Sequence, residues 1–242
     1  MRVRRLMLPA ILALLFATGT ASAEGLAGRF SVAVQVGTQS EVAGDIITAT
    51  QGTLIDKPAT LKAQRYRDIY RPALRLQGTL SYGVGKQLEV FARASYYKAK
   101  KAGIDAGTFA GLTMNAFFDQ YRESGAELGL RYTIAPQGRL KSHIGPVVGV
   151  RHVDEALVSF SVPDAGIAVL NEPFTKGGYV LVVGADLGFN FELSPNAFVG
   201  VDTGLRYQQA PTAFGSLPEL PGFEGAGGRW TAPVTATLGF RF

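Results

Sequence analysis

The chain has 242 residues, with 30 glycines, 24 lysines and arginines against 19 aspartates and glutamates, and no cysteine. No disulfide scaffold, cysteine metal site or lipid-attached cysteine is open to it. Its net charge of +5 is modest, and no basic run interleaved with aromatics stands out, so nucleic acid is not an expected partner.

Residues 1–23 read as a secretory signal peptide. Arg2, Arg4 and Arg5 form a basic start, Leu6 to Ala17 an apolar core, and Ala21-Ser22-Ala23 a small-residue cleavage site. The apolar core is shorter than the roughly 20 residues a spanning helix needs. Loss of the three arginines leaves 21 cations against 19 acids from Glu24 onward. Residues 24–242 then suit a single domain.

Eight segments follow in which every second residue is apolar, the period of a strand. The first has Phe30, Val32, Val34 and Val36; the second Leu74, Leu76, Leu80, Tyr82 and Val84; the third Leu88, Val90, Ala92, Ala94 and Tyr96. The fourth has Ala126, Leu128, Leu130, Tyr132 and Ile134, and the fifth Leu140, Ile144, Val148 and Val150. The sixth runs from Tyr179 to Leu193 and the seventh from Ala197 to Tyr207. The eighth is Arg229–Phe242, RWTAPVTATLGFRF, which ends on an aromatic.

Their connections alternate in length. Residues 39–71, 99–120, 154–176 and 209–228 are long; Gly83–Lys86, Ala135–Gly138 and Ser194–Asn196 are tight. The other face of the segments carries small and charged residues, with most glycines among them. A narrow polar interior and an oily exterior, with short turns at one end and long loops at the other, is the signature of a transmembrane barrel. The expected fold is all-β: an eight-stranded antiparallel transmembrane barrel with four long external loops and three short periplasmic turns. Tyr96, Tyr179, Tyr207 and Trp230 fall toward the long-loop end, and Tyr132, Phe191, Phe240 and Phe242 toward the other, as two interfacial girdles. Pro146 and Pro233 interrupt segments five and eight, where a bulge or a local break is expected.

On this signal peptide, these eight segments, the loop alternation and the ending Leu238-Gly239-Phe240-Arg241-Phe242, residues 28–242 resemble the small outer-membrane barrels of Gram-negative bacteria, the OmpA, OmpX and OmpW group. The resemblance implies export through the periplasm to the outer membrane, contact with its lipid and lipopolysaccharide, and insertion by the barrel-assembly machinery. Leu238, Phe240 and Phe242 would be the C-terminal assembly signal. It does not fix a function, because this fold hosts anchors, adhesins, channels and enzymes.

Three constellations carry candidate chemistry. Arg75, Arg93, Glu127, Arg131, Asp186, Asp202 and Arg206 share the polar face, and several fall at mid-barrel height, so a mixed-sign network filling the lumen is expected. It would serve as a plug or as a gate that re-pairs to admit ions. Arg65, Arg67, Arg71, Lys98, Lys100 and Lys101 stand near the outer leaflet and suit lipopolysaccharide phosphates. The long loops are unusually apolar: Phe109, Leu112, Met114, Phe117, Phe118 and Tyr121 in the second, and Ala156, Val158, Phe160 and Val162 in the third. Either the loops pack on one another as a cap, or segments five and six run on past the membrane as a protruding hairpin turning at Pro163–Gly166.

Catalysis is not expected. A lipid-facing hydrolase needs a histidine, a serine and a carboxylate together. His152 has the outward phase but Asp154, not serine, stands two residues on, and His143 points inward. No cofactor or metal is expected either. The chain reads as a non-enzymatic barrel for envelope integrity or surface interaction, with an extracellular protein as a partner. The alternative is a narrow OmpW-like channel for small or hydrophobic solutes, its mouth guarded by the apolar second loop.

Overall fold

The computed structural model describes residues 25–54, 56–100, 103–134, 138–212 and 227–242. The signal peptide, Lys101, most of the turn at 135–138 and most of the last long connection lie outside the described residues. In chain order the strands are β1 (Phe30–Ala43), β2 (Asp45–Ile47), β3 (Thr50–Leu54), β4 (Lys57–Leu61), β5 (Gln64–Arg65), β6 (Ala73–Gly83), β7 (Leu88–Ala99) and β8 (Gly103–Phe109). Then come β9 (Leu112–Phe118), β10 (Tyr121–Thr133), β11 (Leu140–Val153), β12 (Ala156–Val162), β13 (Ile167–Thr175), β14 (Gly178–Ser194), β15 (Ala197–Gln208) and β16 (Arg229–Arg241). One helical turn, α1 (Tyr66–Ile69), follows β5.

Eight strands close into an antiparallel barrel in the order β1-β16-β15-β14-β11-β10-β7-β6. Closure joins the two ends of the chain, Ser31 lying opposite Arg241. The predicted phases hold on every barrel strand. Val34, Leu80, Leu128, Val148 and Phe189 point outward and are exposed, while Arg75, Arg93, Glu127, Asp186 and Asp202 point inward and are buried. An apolar belt running round all eight strands is the reverse of a soluble barrel, whose oily face must be hidden from water.

Above the barrel stands a second body. Three hairpins, one from each of three long connections, form a six-stranded sheet in the order β13-β12-β9-β8-β4-β3, and β2 pairs with β5 beside α1. Its core is apolar: Ile47, Leu61, Tyr66, Ile69, Met114 and Phe118 are all almost fully buried. The inversion happens within single strands. On β7 the inward series runs Glu89, Phe91, Arg93 and Ser95, then Tyr97 and Ala99; on β11 it runs His143, Gly145, Val147, Gly149 and Arg151, then Val153, and the apolar ends join the cap's core. The outward series inverts at the same level, from Leu and Val to the exposed Lys98, Lys100 and Arg122.

The hairpin β12–β13 corrects the idea of a simple extension of strands five and six. β11 stops at Val153, and Asp154 and Glu155 lie outside any strand. Ala156, Val158, Phe160 and Val162 are therefore buried in the cap, although their sequence parity matches the outward face of β11. β12 is covered on its other side by β9, so only β13 remains a free edge at this end of the sheet. The turn itself is as expected: Pro163–Ala165 form a 3-10 turn and Gly166 takes the left-handed φ of 65° that glycine tolerates best.

Neither proline shifts the register where it sits. Pro146 keeps its place opposite Ala185, but the pairing of β11 with β10 skips from Gly129–Val147 to Tyr132–Ile144. Pro233 keeps its place opposite Gln39, while β16 and β15 pair at Thr203–Val234 and next at Arg206–Thr231. Each proline lacks an N–H, and each neighbouring ladder opens by two pairs. The hydroxyl of Thr203 donates to the Pro233 carbonyl at 3.0 Å. A bulge occurs at Glu41–Ala43, opposite the start of β16.

Candidate functional site: the charged lumen and its outer rim

Glu127 on β10 is the hub of the lumen. Its carboxylate meets Arg151 at 3.0 Å, Arg93 and Arg206 at 3.4 Å, and Arg75 at 3.5 Å. Arg93 and Arg206 also hold Asp186, at 2.9 and 2.5 Å. Small residues make the room. A side chain at Gly204 would start 2.6 Å from the Arg206 guanidinium and 2.8 Å from the Asp186 carboxylate.

Two further layers flank the hub. Toward the cap, Glu123 accepts from Arg151 at 2.9 Å and Arg229 at 2.6 Å, and Arg229 reaches Glu41 at 3.1 Å. The Arg229 guanidinium also lies against the rings of Tyr121 and Tyr66, 4.5 and 4.8 Å from their centroids, so it ties the ionic layer to α1. Burial pushes the Tyr66 phenol up to about 12 and raises that of Tyr70 as well. Toward the short turns, Asp202 accepts from His143 and Gln35, both at 2.8 Å, and from Thr237. Gln35, Thr79 and Arg93 link this pair to the hub by hydrogen bonds of 3.1 and 3.3 Å.

Among the described residues the barrel buries seven arginines and six acids, so the layers come near to neutral. Buried ions are tolerated only when paired in this way, because desolvation of each costs several kcal/mol.

Of the seven residues expected in the network, Arg75, Arg93, Glu127, Asp186 and Arg206 meet directly and Asp202 joins through neutral groups. Arg131 does not join the cluster. It pairs with Glu89 at 3.5 Å and stacks on Phe91 in a lower layer. Arg151, Glu123, Arg229 and Glu41 join the cluster without being among the expected residues. The first three carry the inward parity, which was their available signal. Glu41 and Gln39 were assigned to a loop, whereas β1 runs on to Ala43.

The outer rim divides the basic candidates. Arg65 faces Asp45 at 3.9 Å and Arg67 faces Asp68 at 3.8 Å, both on the cap. Lys98 stands directly opposite Arg122 on the rim of the belt, and both are exposed. Arg71, also exposed, precedes Leu74, the ladder partner of Lys98 on the other side. Leu238, Phe240 and Phe242 all point outward.

No family model matches the chain, and no curated protein matches it. Several solved structures are distantly similar to it. Neisserial surface protein A is 13% identical, with a TM-score of 0.40, over 89% of this chain and 99% of that one. Ail, the attachment invasion locus protein of Yersinia pestis, solved with the heparin analogue sucrose octasulfate, is 11% identical with a TM-score of 0.40 over 89% and 99%. The outer membrane protein OprG from Pseudomonas aeruginosa is 12% identical with a TM-score of 0.44 over 91% and 98%.

Proposed function

We propose that this chain is an integral, non-enzymatic barrel of a Gram-negative outer membrane that carries a folded module at the cell surface, its lumen closed by the ionic layers. The observation that carries this reading is the double inversion. Charge is paired inside where the outside is Leu, Val and Phe, and an apolar core is buried inside where the outside is charged. Only a chain passing from hydrocarbon into water gains from both arrangements.

The closed lumen is supported by the Glu127 hub, which draws guanidinium groups from four strands onto one carboxylate. The apolar second loop, which would have guarded a channel mouth, is spent in the core of the cap through Phe109, Met114 and Phe118. The cap's sheet supports a surface role in envelope integrity or contact with an extracellular protein. Leu238, Phe240 and Phe242, outward on the last strand, suit a signal read by the assembly machinery, and residues 1–23 suit export. Recording in planar bilayers tests the plug. The expected trace stays at baseline with the intact chain; steady, ion-selective conductance overturns the reading in favour of a channel.

A further inference from the structure

Two exposed cations meet at the rim of the belt. Lys98 and Arg122 are cross-strand partners on β7 and β10, an arrangement that repels unless an anion lies between. The Arg122 guanidinium is fixed by Gln120, whose side-chain oxygen it meets at 2.8 and 3.1 Å. Among the described residues neither Lys98 nor Arg122 has a carboxylate within ion-pair distance; the nearby Asp154 faces His152 at 3.6 Å instead. The next row down offers hydrogen-bonding groups, Tyr96, Ser124 and His152, adjacent in the ladder. On the far side of the barrel the same level carries Trp230 packed on Tyr207.

Below this rim the same strands hold an apolar groove of about 630 Å³, lined by Leu80, Tyr82, Ala92, Leu128, Pro146 and Val148 among others. It lies where β11 loses pairing with β10 at Pro146. Between rim and groove the outward side chains on β6, β7 and β10 are short: Gly78, Ala94 and Ala126, in register. From Lys98 to Ala92 is six residues, roughly 20 Å of strand, or roughly 15 Å of depth at a tilt of 35–45°. That is half of a hydrocarbon core about 30 Å thick. A tail descending from a headgroup at the rim therefore reaches the groove at its upper edge, the Leu80–Ala92–Leu128 row.

We infer that the β6–β7–β10–β11 sector is a specific site for one phosphorylated, acylated lipid of the leaflet on the long-loop side. Lys98 and Arg122 clasp its phosphate, Tyr96, Ser124 and His152 meet its headgroup, and its tail lies over Ala94 and Ala126 into the groove. This rests on the membrane reading above and narrows it: Arg65 and Arg67, paired on the cap, take no part.

The test uses the full chain in vesicles doped with lipid A, either phosphorylated or enzymatically dephosphorylated, with the lipid retained after extraction counted by native mass spectrometry. Intact protein is expected to keep one phosphorylated molecule. The exposed double variant Lys98→Gln/Arg122→Gln should lose affinity by about a hundred-fold, on the scale of two charge-assisted hydrogen bonds. Ala92→Trp, which fills the groove without touching charge, should weaken retention of both lipids. Arg65→Gln/Arg67→Gln should change nothing. Equal retention by the Lys98/Arg122 variant, or indifference to the phosphate, overturns the site. Insertion is scored separately by protease protection of the barrel. A chain that inserts but keeps no lipid refutes only this inference, and a chain that fails to insert refutes the membrane reading itself.

Discussion

The barrel and the cap are built from one chain and overlap on the same strands, yet they are stabilised in opposite ways. In the barrel the inner face of β7 sets Glu89 and Arg93 on either side of Phe91; a few residues on it is Tyr97 and Ala99. Backbone ladders are common to both, so the difference lies in the solvent each outer face meets. Where hydrocarbon covers the outside, an apolar interior has little advantage, and paired ions, small residues and a few rings such as Phe91 and Phe198 share the narrow lumen. Where water covers the outside, burying Met114 and Phe118 is favourable by the usual ~25 cal/mol per Å². Arg229, paired with Glu123 below and stacked on Tyr66 above, marks the boundary.

The contrast is sharpest at Glu127. Glu127→Ala leaves four guanidinium groups facing one another, and a loss of roughly 3–5 kcal/mol is expected in urea unfolding from vesicles. The single Trp230 reports it by fluorescence. If Glu127→Ala unfolds like the parent, the hub contributes nothing and the lumen is not held by its ions. In the cap, Met114→Ala is expected to cost about 2–5 kcal/mol, as a cavity in an apolar core does. That loss should open the cap to limited proteolysis while the barrel keeps its resistance to urea. Joint loss of both regions would mean that they fold as one unit.

A smaller effect is expected at the boundary. Tyr66→Leu removes the ring that stacks on Arg229 from the cap side, at about 0.5–2 kcal/mol. In the parent, burial pushes the Tyr66 phenol up to about 12 against an ordinary value of 10.0, so its contribution is expected to be complete below pH 10 and to be lost as pH rises through 12. The difference in ultraviolet tyrosinate absorbance between the parent and Tyr66→Leu should show this late titration, together with cap opening in the parent. A phenol that ionises at its ordinary pH would place Tyr66 in water. The smallest effect belongs to the exposed pair Lys62–Asp105 at 2.6 Å on the cap. Lys62→Met should leave the unfolding midpoint within experimental error of the parent, and the two should coincide in high salt.

The barrel was legible because its signal is local. Parity along each strand separates Leu128 from Glu127 without knowledge of any neighbour. Which inward charges meet was only half legible, since height depends on cross-strand register. Arg93 and Glu127 fall together by counting from the turns, but Arg131 lies a layer too low. Glu41 was hidden because β1 loses its apolar phase after Val36, where Thr38 and Ser40 take the outward positions. The cap was not legible as a sheet, because β4, β8, β9 and β12 come from three separate connections whose pairing is long-range. The change of face between Val153 and Ala156 depends on two residues, Asp154 and Glu155, that carry no strand signal at all.

The central claim is that the belt meets hydrocarbon while the cap meets water, and the absence of cysteine makes it directly measurable. Nitroxide labels would be placed through Leu128→Cys in the belt and Leu170→Cys on the cap's edge strand, both exposed positions, with the protein in lipid vesicles. The Leu128 label should collide with dissolved oxygen and be shielded from a water-soluble nickel chelate, and the Leu170 label should do the reverse. A nickel-accessible label at Leu128 would contradict the claim.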